Sequence, residues 1–151
     1  MIENWIDKIA ALWADMDDGK GGKVRSYRMY EVSEFPSTLI EYPCAISYPQ
    51  QVICDYSAGN SIDIWEGRTE FHLTPNVDRS QLPYVIRFFA KIRNAVAAEM
   101  TLGGSVDYFQ LRMDRASIEG PVQLTYGGEE PHWGLIVYWR VKENVTQEVV
   151  I

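Results

Sequence analysis

The side chains able to do chemistry are few and scattered. The two histidines, His72 and His132, stand sixty residues apart. Neither has the H-x-x-x-H or C-x-x-C neighbourhood that zinc coordination needs. His72 shares strand parity with Ile62 and Ile64, and His132 falls in a hairpin connection; both read as hydrogen-bonded structural imidazoles. Cys44 and Cys54 belong to no redox or metal motif and read as free, partly buried thiols in a reducing compartment. There is no G-x-S-x-G elbow and no Cys–His signature. Among the carboxylates, Asp63 and Glu70 form a pair that a hairpin could bring together, although glycosidase chemistry would also require a deep cleft. Glu129 and Glu130 read as a loop tip, and Arg112 and Arg115 as surface or subunit-contact charges.

Two loop motifs fail on spacing. Asp15, Asp17 and Asp18 suggest a calcium loop, but Lys20 and Ser26 occupy the positions where its glycine and final glutamate belong. Gly19-Lys20-Gly21-Gly22-Lys23 lacks the spacing of a phosphate-binding loop, and a strand follows it where a helix is required. These residues therefore predict no catalytic site, no metal and no cofactor: a protein that is not an enzyme.

The elements that would position any site come next. Ser80 to Met100 has helical periodicity, with Leu82, Val85, Ile86, Phe89, Ile92, Val96 and Met100 on one face. Ser80 is placed to cap it, Pro83 fits its first turn, and Gly103-Gly104 supply the left-handed backbone that ends it. Arg87, Lys91 and Asn94 point away. Ile2 to Met16 is a second amphipathic helix, burying Ile2, Trp5, Ile6, Ile9, Leu12, Trp13 and Met16. Lys23 to Val32 alternates as a strand, and Glu34 to Ser37 breaks it. Pro43 and Pro49 confine a short strand to a sheet edge, and Gln51 to Tyr56 is another short strand.

Ser61 to Thr74 is β-like, but Ile62 and Ile64 have one parity while Trp65, Phe71 and Leu73 have the other. That switch at Glu66-Gly67 implies a bulge or two covered faces. A strand around Val106 to Leu111, a turn at Ile118 to Pro121, and a strand from Pro121 to Tyr126 follow. Trp133 to Val141 is apolar on both faces, so it must be covered twice: by the long helix, and by the N-terminal helix or another subunit. The expected architecture is a single α+β domain spanning residues 1–151, with 144–151 as a C-terminal arm. Its sheet is mostly antiparallel, with the long central helix and the short N-terminal helix packed on it.

The formal charge of −7 with 46% hydrophobic residues fits one globular domain and argues against non-specific nucleic-acid binding. Acidic residues interrupt the N-terminal apolar run, unlike a signal peptide, and no run is long enough to span a membrane, which points to the cytoplasm.

The order of four features resembles a known family. They are the N-terminal amphipathic helix; Arg68-Thr69-Glu70-Phe71-His72-Leu73-Thr74-Pro75; the long helix closing on Thr101-Leu102-Gly103-Gly104-Ser105-Val106-Asp107; and Tyr126-Gly127-Gly128 leading to Trp133-Gly134-Leu135-Ile136-Val137. Together, over residues 2 to 142, they resemble the tail terminator (tail completion, minor tail) proteins of long-tailed bacteriophages.

The resemblance implies a homo-oligomeric ring, generally a hexamer, on the head-proximal end of the tail tube. The ring ends tube polymerisation and offers its other face to the head connector or stopper protein, while DNA passes through the lumen without specific binding. The implied place is the neck of the virion tail, after assembly in the host cytoplasm, with no membrane involved. A ring uses two different contact surfaces per subunit. The candidates are Trp65, Arg68 and Glu70 in the first β-segment and Trp133, Ile136, Tyr138 and Trp139 in the last. The alternatives are another neck or tail piece (connector, stopper or tail-tube protein), or an α+β domain holding a small molecule against His72 and a carboxylate.

Overall fold

A computed structural model describes residues 2–28, 42–57, 60–113, 116–126 and 130–146. Helix α1 (Ile2–Ala14) precedes strands β1 (Arg25–Arg28), β2 (Cys44–Ser57) and β3 (Asn60–His72). Helix α2 (Leu82–Ala98), entered through a single 3-10 turn at Arg79–Gln81, precedes β4 (Tyr108–Leu111), β5 (Ile118–Leu124) and β6 (His132–Thr146). The α+β expectation holds. One six-stranded sheet runs in the order β1-β2-β3-β6, with β4 and β5 end to end along the outer edge of β6. Among the described residues only the β1–β2 pair is parallel.

Both helices lie on the same face of this sheet. One core joins Trp5, Ile6, Ile9 and Trp13 of α1, Val85, Phe88, Ile92 and Val96 of α2, and Phe71, Leu135, Val137, Trp139 and Val141 of the sheet. The spacing of the α1 residues is the helical period read from the sequence, and all four of them are fully buried. Aromatic edges meet faces throughout: Trp5 lies 5.8 Å from Trp139 and Trp13 lies 5.1 Å from Phe71, separations at which ring pairs attract. At its centre the indole N–H groups of Trp13 and Trp139 both donate to Thr69 Oγ1 at 3.1 Å, and Trp13 also reaches Ser47 Oγ at 3.1 Å. The Thr69 and Ser47 hydroxyls are also hydrogen-bonded to each other at 2.8 Å, and either can donate.

Helix α2 is rotated from the expected face. Phe88 is buried, whereas Ile86 is 57% and Phe89 39% exposed. The cause is polar: Tyr84 donates to the carbonyl of Asp18 (2.7 Å) and Lys91 to that of Asp17 (3.0 Å). These bonds tie one flank of α2 to the loop after α1, and Phe88, between them on the helix, turns inward. Met100 is also exposed. The helix ends at Ala98, before it, and the following turn places Leu102, Gly103 and Gly104 at positive φ with Leu102 as the buried anchor. Ser80 is not the cap. Its N–H is instead received by Asp78 Oδ1 at 2.9 Å, which starts the 3-10 turn.

Several strand expectations change. The stretch between Pro43 and Pro49 and the stretch Gln51–Tyr56 are not separate short strands but belong to the fourteen-residue β2, which starts just after Pro43. Pro49 lies past the stretch paired with β1, at a register shift against β3, so its missing N–H interrupts no ladder. That shift faces Glu66 and Gly67, while β3 itself runs unbroken along β6. The irregularity implied by the parity switch therefore sits in the neighbouring strand. Ile118 to Pro121 is not a turn: β5 begins there, with a bulge between Glu119 and Val122. Residues 144–146 are not part of an arm but continue β6 against Asn60–Ile62. The end of the first strand reading, the Glu34–Ser37 break and residues 147–151 lie outside the described residues. Cys44 is buried and Cys54 exposed on one strand, and neither forms a disulfide.

Gly67 faces Trp139 across the β3–β6 ladder, and a Cβ there would stand 2.4 Å from the indole and 2.6 Å from the Tyr48 carbonyl. Gly67→Ala should therefore destabilise the protein by about 1–3 kcal/mol through overpacking, measured by urea unfolding. An unchanged midpoint would show that the indole is free to move aside.

Candidate functional site

The sheet face opposite the helices carries the polar residues. Along β3 the alternation puts Glu66, Arg68, Glu70 and His72 on this side. The register sets Arg68 beside Tyr48 and Tyr138, and Glu70 beside Ile46 and Ile136. A chain of contacts results. The Tyr48 hydroxyl donates to Glu70 Oε2 at 2.6 Å, Arg68 Nη2 donates to the same oxygen at 2.8 Å, and Arg68 Nε donates to the Tyr48 hydroxyl. Glu70 Oε1 lies 3.3 Å from His72 Nε2, in ion-pair range but looser than a hydrogen bond. His72 Nδ1 is 2.6 Å from His132 Nε2, and His132 Nδ1 is 3.2 Å from the Glu130 carbonyl. Both imidazoles are fully buried, edged by the rings of Tyr42 and Tyr126.

Two neutral imidazoles carry one N–H each. One of those protons lies in the His72–His132 bond, with one ring donating and the other accepting according to the tautomer. Burial alone would raise the Glu70 pKa, but His72, the Tyr48 hydroxyl and the Arg68 charge outweigh it and hold the carboxyl at about 2. The Tyr48 phenol is pushed up to about 12 by burial and then by the bond and charge of Glu70. A second cluster lies beside the first: Glu66 meets Arg112 at 2.7 Å and Arg140 at 3.5 Å. Arg112, read as a surface or subunit-contact charge, is thus paired within the chain. Tyr138 donates to Glu119 at 3.0 Å.

The structure divides the seven interface candidates. Arg68, Glu70, Ile136 and Tyr138 come together on the face opposite the helices, where Ile136 and Tyr138 are already buried within the chain. Trp65, Trp133 and Trp139 have the opposite parity and belong to the helix side. Trp139 is fully buried in the chain's own core, Trp65 packs 5.6 Å from Trp5, and Trp133 donates to the Asp78 carbonyl at 3.0 Å. The second cover expected for the Trp133–Val141 strand is not α1, which shares its face with α2. On the face opposite the helices Ile136 and Tyr138 are instead flanked by the long side chains of Glu70, Arg68 and Glu119.

Asp63 and Glu70, seven residues apart on one unbroken strand, occupy opposite faces and do not pair. Asp63 instead holds the Cys54 thiol, whose pKa it raises through a hydrogen bond. The loop aspartates bind backbone: Asp17 accepts from Gly19, and Asp18 from Lys20 and Gly22. Among the described residues no three His, Cys, Asp or Glu side chains converge as a metal-binding group.

The partnership of His72 with His132 was not read from the sequence. Half of its signal was present, because Arg68, Glu70 and His72 alternate on one parity. The other half, the register that sets β6 beside β3, is a long-range property of the fold. A groove of about 210 Å³ is lined by Lys8, Leu12, Asp15, Glu99 and Leu102. It lies on the helix layer, across the sheet from the histidines. No protein-family model and no curated protein matches this chain.

The depressed Glu70 pKa carries a sign. A carboxyl held below its ordinary 4.5 stabilises the fold above that value and loses the contribution as pH falls toward about 2. Glu70→Gln should thus be less stable than wild type at neutral pH, with the difference shrinking on acidification across that window. A pH-independent difference in urea midpoints would contradict the charge-based account.

Proposed function

We propose that this protein is a ring-forming structural subunit of a long-tailed bacteriophage. In this reading it sits at the head-proximal end of the tail tube, ends tube growth and presents a docking face to the head connector. The observation that carries this reading is the distribution of exposed apolar side chains. One patch is Ile86 and Phe89 on α2 and another is Ile53 on the far half of β2; Val52 is exposed on the other face of that strand, and Val77, Met100 and Met113 are exposed elsewhere. Helix α2 packs over β6, β4 and β5, whereas the far half of β2 has no outer strand among the described residues. The patches therefore sit toward opposite lateral sides of the sheet. Head-to-tail closure requires two unlike surfaces on each subunit.

The chemistry of the face opposite the helices supports a structural role. Its charges are committed to one another, and the groove described above lies across the sheet from the histidine pair. The net charge of −7 disfavours adhesion of DNA threading a lumen. A connector or tail-tube subunit would share the two patches, but a tube protein would keep adding copies.

Light scattering coupled to size exclusion decides between them. A closed ring gives a single species several times the 17.3 kDa chain mass, six times for a hexamer, that does not grow with concentration. Open-ended growth would favour a tube protein, and a strict monomer would count against self-assembly.

A further inference from the structure

Taking the ring reading as its basis, we infer which two surfaces meet: the outer flank of α2 in one copy receives the far end of the β2–β3 hairpin of the next copy. The helix burial explains the first surface. With Tyr84 and Lys91 bound to the loop after α1, the opposite flank of α2 faces away from α1. At one hundred degrees per residue, that flank holds Ile86, Phe89, Ala90, Arg93 and Ala97, all exposed. It is a second apolar stripe on a helix that already buries its first. The helix carries Arg87, Lys91 and Arg93 and no acidic residue, in a chain whose net charge is −7.

The hairpin supplies a complementary surface. Beyond the register shift, Ile53 pairs directly with Ile64, and Asp55 with Ile62. Ile53 is 56% exposed and Asp55 is exposed, while Ile62 and Ile64 are half-buried. This gives an aliphatic patch bordered by a carboxylate on one side and by Lys142, the β6 partner of Ile64, on the other. The helix flank is an aliphatic and aromatic stripe bearing Arg93. Both are exposed and apolar, and Asp55 opposes Arg93 in charge. They sit toward opposite sides of one rigid sheet, so a chain cannot bring them together on itself. The occupant of each is a second copy.

The test uses the full chain with one substitution on each surface, Phe89→Glu or Ile53→Glu. Both sites are exposed, and unchanged circular dichroism and urea midpoints confirm folding. Each variant should weaken self-association by roughly tenfold or more in sedimentation velocity. When mixed, the two variants should form a one-to-one dimer that grows no further, because the Phe89→Glu copy retains its hairpin and the Ile53→Glu copy its helix flank. Wild-type assembly matched by both variants would place the contact elsewhere, overturning this inference while leaving the ring reading intact. A mixture that stays monomeric would also overturn head-to-tail contact between these surfaces. A wild type that is monomeric at its highest soluble concentration would overturn the contact and the ring reading together.

Discussion

The hydroxyl of Thr69 is the point on which this structure depends. It lies fully buried between two tryptophans brought from opposite ends of the chain, Trp13 in α1 and Trp139 in β6, and it accepts from both. An indole N–H taken out of water without an acceptor costs about 1–3 kcal/mol, so a core built on large aromatics needs a polar atom at its centre. Thr69 and Ser47 provide it on adjacent strands, and Gly67, two pairs along the ladder, leaves room for the Trp139 ring. The helix layer, the three central strands and the tryptophans are thereby fixed to one another.

The rest of the architecture follows. With α1 held against Thr69 and Ser47, its trailing loop is placed to receive Tyr84 and Lys91, which set the rotation of α2 and leave Ile86 and Phe89 outside. With both helices on one face, the other side of the sheet carries the polar clusters beside a smaller apolar cluster of Cys44 and Ile46 packed with Tyr42, Tyr48 and Tyr126. The polar groups neutralise one another as Tyr48–Arg68–Glu70 and as Glu66 with its two arginines. The tryptophans of the long strands are thus turned to the chain's own core, and the exposed apolar side chains include Ile86 and Phe89 on α2 and Ile53 on β2.

Much of this was legible in the sequence. The class, the two helices and the buried face of α1 follow from period and composition, because a lone amphipathic helix has a single apolar stripe to choose. Helix α2 has two, and hydrophobicity cannot choose between Phe88 and Phe89. The choice is made by Tyr84 and Lys91 reaching carbonyl groups some seventy residues away in sequence. Likewise the glycine and parity switch at Glu66-Gly67 signalled an irregularity but not which strand bears it. The two histidines looked unrelated, since the register of β3 on β6, which no local spacing encodes, makes them neighbours. Reading Trp139 as a contact residue failed for a related reason. An all-apolar strand shows that both faces are covered, but not which face the chain covers with its own helices.

The most direct test of the central claim is the stability of Thr69→Val beside Thr69→Ser. Valine keeps the shape and removes the acceptor, whereas serine keeps the hydroxyl and removes a methyl group. The account predicts that, in urea unfolding, valine costs about 1–3 kcal/mol by stranding the Trp139 N–H, and that serine costs about 1 kcal/mol or less. A valine variant as stable as wild type, or a serine variant that is the worse of the two, would show that Thr69 acts by packing and that its hydroxyl does not hold the core together.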